Sequence, residues 1–423
     1  MRIEFVKFKS FPPFRDTALE FPKAAGDAVG EVQIFTGENG SGKTRLLCAL
    51  TAALGNDMDL RKRHVFDDEH YLEVGFDNHG RFLLYQRRKK GGGNYLDLTP
   101  DAKANYLDEQ PFVRTAHGSI LGNSIFGAQA YRGATRVSDH EIEAMKSIDV
   151  RTPESHLSFD VNSMDGLICQ SMANLKLGAA MELQSELPDE QCRATRIITR
   201  FEKSVSTITG RPFSFQVMPQ PNVHLVARWG DRTMRLSTLP DGLRSIIGWL
   251  VACTAKLNSQ YPDHLDPLDI PLILLLDEPE THLHPTWQRK IIPAAQLLFP
   301  NSQIFVATHS PFVISSVNDG FVHILKFDED GNVIVQKPVP CSKGDSYIDA
   351  VEDVLGLTQW YDPETESLLN KFREVRKSVH DGETDIEQLE EMGKAIAARG
   401  DGLSQIIARE ILQTRKNLGA QAK

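Results

Sequence analysis

The sequence predicts an α/β fold, a mixed β-sheet with helices, organised around a phosphate-binding loop. Three observations carry this expectation. "GENGSGKT", Gly37 to Thr44, fits the pattern G-x-x-x-x-G-K-[ST] and sits between a β-rich run and a helix-like run. "LILLLDEPETHLHP", Leu272 to Pro285, is a continuous apolar run ending in two adjacent carboxylates, which reads as a strand buried on both faces. "FVATHSPFVI" repeats the arrangement, an apolar strand that ends at His309.

Taken in order, the chain opens on a half-buried strand in which Ile3, Phe5 and Phe8 interleave with Arg2, Glu4 and Lys7. The phosphate loop and its helix follow, the helix ending at Gly55. "YLEVGFD", the "NHG" turn and "RFLLYQRRKK" read as a hairpin, and "SIFGAQAY" as a further short apolar segment. Residues 135–206 turn polar and helix-leaning with no sustained heptad, so they are expected to form a mainly helical insertion rather than a long coiled-coil arm. Residues 213–236 return to strand-like alternation. Then come a helix in "LRSIIGWLVACTAKL", the DEP strand, a helix near 286–298, the THS strand and the hairpin "FVHILKFDEDGNVIVQK". The expected organisation is a discontinuous head (1–134 and 207–342), the insertion (135–206), and a C-terminal helical region (343–423). In that last region "KFREVRKSV" reads as the outer face of an amphipathic helix.

Bulk properties exclude several classes. A net charge of −10 argues against broad coating of nucleic acid, which needs a basic surface. Cys48, Cys169, Cys192, Cys253 and Cys341 form no Cys-x-x-Cys pair, so neither a zinc site nor a disulfide framework is expected, and the thiols fit a cytoplasmic protein. The N-terminal run carries charges, unlike a signal peptide, and no apolar run is long enough to span a bilayer. No membrane partner is expected.

The chemistry concentrates in the three motifs. Glycines let the backbone N–H groups of Gly37, Glu38, Asn39, Gly40, Ser41 and Gly42 converge on phosphate oxygens, with Arg45 in the first turn of the helix behind them. Lys43 would bridge the β- and γ-phosphates of ATP, and the Thr44 hydroxyl would ligate Mg²⁺. Asp277 is placed to hold that Mg²⁺, and Glu278 is the candidate general base for the attacking water. His309 could donate a hydrogen bond to the γ-phosphate and sense its loss.

These motifs, in this order, resemble those of ABC-class ATPases, in the soluble branch that includes RecF, the SMC-type proteins and the OLD family. "DEPETHLHP" followed by "ATHSPFVI" is especially similar to the OLD-like ATPases, including PtuA-type ATPases of bacterial antiphage systems. The resemblance covers residues 1–55 and 236–330. It implies two heads sandwiching two ATP molecules, each site completed by a signature motif from the partner. "LSTLPDGLRS" lies where that motif belongs, but Pro240 replaces its serine. Asp241 and Gly242 keep the pattern, and Arg244 is a candidate substitute for the lost contact. Gln129 in "FGAQAYRG" is the candidate Mg²⁺-ligating glutamine between the two lobes, with Gln86 a weaker competitor. His284 stands where many relatives carry an aspartate, and the His282–His284 pair is better explained by the family pattern than by a metal.

OLD proteins carry a C-terminal Toprim nuclease, whose Glu-plus-Asp-x-Asp set on strands is not found after "THSPFVI". The expected function is therefore an ATP-binding, slowly hydrolysing switch that forms homodimers or larger assemblies. It would control a separate effector, a nuclease or toxin encoded nearby. The alternatives are a RecF-like ATPase clamping DNA and a non-hydrolysing ATP-bound scaffold. "QRRKKGGG", Gln86 to Gly93, offers possible nucleic-acid contact from a hairpin tip but is more simply a solvated loop.

Overall fold

The computed structural model describes residues 2–23, 30–53, 71–76, 80–86, 96–98, 125–129, 165–188, 191–220, 223–341, 348, 350–355, 361–380 and 385–421. It divides into two compact units, Met1–Leu355 and Gly356–Lys423.

In the first unit the strands are β1 (Ile3–Lys9), β2 (Ala18–Glu20), β3 (Glu31–Gly37), β4 (Tyr71–Phe76), β5 (Gly80–Gln86), β6 (Leu96–Leu98), β7 (Ile125–Gln129), β8 (Phe213–Met218), β9 (His224–Trp229), β10 (Arg232–Arg235), β11 (Leu272–Asp277), β12 (Ser302–Ala307), β13 (Gly320–Phe327), β14 (Val333–Val335) and β15 (Val339–Pro340). Its main helices are α1 (Lys43–Ala53), α2 (Asp165–Gln184), α3 (Arg193–Thr209), α4 (Asp241–Gln260), α5 (Pro285–Leu298) and the single turn α6 (Pro311–Ile314).

The central sheet runs β14-β13-β3-β12-β11-β7, with β15 also on β13. From β13 to β7 every pairing is parallel, whereas β14 and β15 join antiparallel. A second sheet, β2-β1-β4-β5-β6, and a third, β10-β9-β8, are antiparallel.

The unbroken apolar runs of β3, β11 and β12 are explained by burial on both faces. Alternate residues enter different cores, because successive side chains point to opposite sides of a strand. Val32, Ile34, Leu274, Leu276, Ile304 and Val306 join a core shared with α2 to α5. Phe35, Ile273, Leu275, Phe305 and Ala307 join a second core containing Leu46, Leu47 and Leu50 of α1 and Ile3, Val6, Leu72 and Val74 of the second sheet. The phosphate-loop helix is thus held between two sheets.

β1 departs from its expected alternation. Its pairing with β4 shifts register between Ile3 and Phe5, so Val6 rather than Phe5 joins Ile3 and Phe8 on the buried face. The helical pair α2 and α3 shares the head's first core: Ile197, Ile198, Phe201, Val205 and Ile208 recur at helical spacing and are buried there. Arg193, at the start of α3, donates to the carbonyls of Asn258 (3.1 Å), Tyr261 (3.0 Å) and His264 (2.8 Å). A cation so placed satisfies orphan acceptors and complements the negative end of α4.

The described residues of the second unit form the helices α7 (Pro363–His380), α8 (Ile386–Ala397) and α9 (Asp401–Gln421). Leu369, Phe372, Val379, Leu389, Ile396, Leu403 and Ile407 form its core. In "KFREVRKSV" the charged residues Lys371, Arg373, Glu374 and Lys377 are exposed while Phe372 and Val379 face inward, the amphipathic pattern expected. Among the described residues, no helix is long and apolar enough to cross a membrane.

Candidate functional site

The parallel register sets the site. Ala307 of β12 and Gln129 of β7 both pair with Asp277 of β11, and Phe35 of β3 pairs with Ala307. The carboxyl ends of β3, β7, β11 and β12 therefore reach one edge together, where open α/β sheets bind ligands.

At that edge the loop after β3 coils back before entering α1. Gly37, Gly40 and Gly42 all have positive φ (146°, 85° and 88°), backbone that side chains disfavour. Space forbids a side chain as well: a Cβ on Gly42 would lie 2.8 Å from Phe14 Cζ and 2.9 Å from Pro13 Cγ. Ser41 is buried, whereas Glu38, Asn39 and Gly40 are exposed at the rim. Lys43 folds its ammonium under the loop, donating to the carbonyls of Gly37 and Glu38, both at 3.0 Å. Burial pulls its pKa down to about 8, while Glu278, Asp277 and Glu280 act in the opposite sense. It remains a cation at neutral pH.

The Thr44 hydroxyl donates to Asp277, 2.9 Å from Oδ2 and 3.1 Å from Oδ1. A hydroxyl and a buried carboxylate in contact, beside the register position of Gln129, form a hard oxygen donor set that suits Mg²⁺. Gln129 is placed by its backbone alone. Gln86 ends β5, a strand of the second sheet and not of the central one. The basic residues 87–90 and Gly91–Gly93 lie outside the described residues.

Glu278 follows Asp277 with φ at 48°, and its amide donates to the Ala307 carbonyl at 2.8 Å. Such a left-handed non-glycine residue at a strand exit is a strained arrangement of the kind that collects at functional sites. His309 is half-buried on the neighbouring exit, and both burial and the Lys43 charge lower its pKa, so its imidazole is neutral at physiological pH. A cavity lined by Pro13, Asn39, Gly40, Gly42, Lys43, Thr44, Arg45, Glu278 and His309 joins these groups. Pro13 had no motif to announce it; Arg45 holds its loop by donating to the Pro12 carbonyl at 2.9 Å.

The stretch Pro240–Arg244 does not line this cavity. Pro240 caps α4, and Asp241 begins it, placing a carboxylate at the helix's positive end. Gly242 is buried against the loop after β11: a Cβ there would lie 2.6 Å from the His282 carbonyl oxygen. Arg244 pairs with Asp241 of its own helix at 3.5 Å, and its Nε is buried without a hydrogen-bond partner. His284 caps α5, its Nδ1 accepting from the Thr286 amide at 3.3 Å. His282 is exposed, with φ at 65°. No group of three or more potential metal ligands among histidine, cysteine, aspartate and glutamate is found among the described residues.

The chain is 31% identical over 114 residues to the "Retron Ec83 probable ATPase" of Escherichia coli, covering 27% of this chain and 21% of that protein. It is 26% identical over 124 residues to the "Retron Vc95 probable ATPase" of Vibrio cholerae (29% of this chain, 24% of that protein). It is also 33% identical over 94 residues to the Septu protein PtuA of Bacillus thuringiensis (22% and 24%). The chain thus spans about a fifth to a quarter of the length of these relatives. Among solved structures it is similar to the SMC head domain from Thermotoga maritima, at 17% identity and a TM-score of 0.43 over 80% of this chain and 99% of that one. A family match extends over residues 34–315, from the phosphate loop through both carboxylates to His309 and beyond. The chain belongs to the ATPase family described as "AAA domain, putative AbiEii toxin, Type IV TA system".

Proposed function

We propose that this chain is an ATP-binding, slowly ATP-hydrolysing switch of a bacterial antiphage defence system, working as a homodimer or larger assembly in the cytoplasm. It would control a separate effector, a nuclease or toxin encoded nearby. The observation that carries the reading is the meeting of Lys43, Thr44, Asp277, Glu278 and His309 at one sheet edge. The defence role is supported by the retron and Septu relatives.

In this reading the loop from Gly37 to Gly42 and the start of α1 offer backbone N–H groups and a positive helix end to the phosphates. Lys43 would exchange the carbonyls it now holds for phosphate oxygens. Thr44 and Asp277, with Gln129 alongside, would hold Mg²⁺, which when bound offsets phosphate charge. Glu278 would take a proton from the attacking water. His309, neutral, can donate to the γ-phosphate without adding charge. Pro240 cannot supply the hydroxyl of a partner's signature serine, which leaves the Gly242 backbone and the positive end of α4, with Arg244, as the contacts across a dimer. That shortfall favours slow turnover.

Equilibrium binding of ATP and steady-state hydrolysis by the purified protein, beside Lys43→Ala, test the reading. Micromolar or tighter binding that Lys43→Ala weakens by at least tenfold is expected, since a buried charge-assisted contact is worth about 1.5–3 kcal/mol. Indistinguishable affinities for the two proteins would refute it. Co-purification with the product of a neighbouring gene tests the effector.

A further inference from the structure

Glu280 is a carboxylate placed where burial is costly. It follows the Asp277–Glu278 pair in the loop leading to α5 and is 9% exposed. Its Oε1 accepts from the Thr308 hydroxyl and, at 3.2 Å, from the His309 amide. Its Oε2 is buried without a hydrogen-bond partner. Packing alone would be better served by an apolar side chain of similar volume, because a buried polar atom left unpaired costs stability. The residue is therefore better explained by what its other oxygen holds.

What it holds is a closed circuit between two strand exits. The Thr308 amide donates to the Phe35 carbonyl of β3 at 3.0 Å, anchoring this exit to the strand that leads into the phosphate loop. Thr308 Oγ1 also accepts from the Ser310 amide at 2.9 Å. The Ser310 hydroxyl donates to Gln288 Oε1 at 2.6 Å, and Gln288 Nε2 donates to the Leu283 carbonyl at 2.9 Å. Glu280 closes the circuit from the β11 side, and Gln288 closes it from α5. Glu278 precedes Glu280 by two residues on the β11 side, His309 lies between Thr308 and Ser310 on the β12 side, and Gly242 of α4 leans on the His282–Leu283 segment.

We propose that Glu280 is a positioning residue for ATP hydrolysis, a latch that ties the β11 exit to the β12 exit and holds His309 on the γ-phosphate that Glu278 faces. It acts through His309 and touches no reacting atom. The proposal rests on the hydrolytic reading above, and a displacement of about 1 Å at such a site is enough to lower turnover by about a hundredfold.

The test compares wild type, Glu280→Ala, Glu280→Gln, Thr308→Val, His309→Ala and the double variant Glu280→Ala/His309→Ala. ATP affinity and kcat are measured separately. Glu280→Ala should bind ATP within about threefold of wild type and lose about 20- to 100-fold in kcat. Glu280→Gln keeps an acceptor oxygen for Thr308 and His309 and should recover most of that loss. Thr308→Val should fall between them. The double variant should be no slower than His309→Ala, because the two residues act as one unit. Unchanged kcat in both Glu280→Ala and Thr308→Val, no recovery in Glu280→Gln, or multiplicative losses in the double variant would each overturn the latch. If Glu280→Ala does not fold, Glu280→Gln and Thr308→Val decide. Wild type that turns over while every latch variant matches it sinks the latch alone. Wild type that binds ATP without hydrolysing it sinks the hydrolytic reading and the latch together.

Discussion

Gly242→Ala adds one methyl group at the point where α4 meets the loop after β11, and its cost can be worked from the geometry. The new Cβ would lie 2.6 Å from the His282 carbonyl oxygen and 3.2 Å from Leu283 Cδ2. The oxygen belongs to backbone in a left-handed turn and cannot rotate aside. Relief to an ordinary contact near 3.4 Å requires the helix start and the loop to part by roughly 0.8 Å, and overpacking of this kind costs about 1–3 kcal/mol. For a unit spanning Met1–Leu355, unfolding entropy near 2.1 cal/mol/K per residue gives about 0.7 kcal/mol per kelvin, so Tm should fall by about 1–4 °C. The assay is a thermal melt of the nucleotide-free protein, where no contact across an ATP sandwich contributes. An unchanged Tm would refute the close approach within one chain. It would leave Gly242 as a residue whose only role is toward a partner.

The remaining predictions concern ionisation and the second unit. Burial raises the Glu280 pKa from 4.5 to about 7, so between those values the folded chain keeps a proton that the unfolded chain has released. Its contribution is fully present below about pH 4.5 and is lost as pH rises through 7, by about 3 kcal/mol at most. His323, pushed down to about 4 by burial, slopes the opposite way over part of this window, so the measurement is the stability difference between wild type and Glu280→Gln at pH 5 and pH 7.5. A difference independent of pH would contradict the buried carboxylate. In the C-terminal unit, Phe372 is wholly buried, and its truncation to alanine should cost about 3–5 kcal/mol. Few cores of this size have that margin, so amide exchange across α7 to α9 should accelerate strongly. Protection equal to wild type would show that the cluster is not the core of that unit.

Much of this site was legible because its chemistry is written in short spacings. The phosphate loop needs its glycines and lysine in one run, and β11 and β12 advertise burial on both faces by unbroken apolar sequence. Gln129 was reachable by its place after a short apolar run, and the sheet register sets it opposite Asp277. The features that escaped depend on contacts distant in sequence. Glu280 looks like one more acid in "DEPE" until Thr308 and His309 are brought to it by the neighbouring strand. Pro13 reaches the cavity only because its loop packs on Gly42. The register shift in β1 exchanges Phe5 for Val6 on the buried face, which a strict two-residue period does not encode. By position in "LPDGLRS" Gly242 and Arg244 point toward a partner, yet each has a structural contact within its own chain, with His282 and Asp241 respectively.

We propose that this sheet edge hydrolyses ATP with Glu278 as the base. Glu278→Gln keeps the side-chain volume and removes the proton acceptor. Single-turnover measurement with bound radiolabelled ATP should find affinity retained and the rate lowered by about 10²- to 10⁴-fold, with intact ATP recovered from the protein. Conversion of ATP to ADP by Glu278→Gln at the wild-type rate would contradict the account.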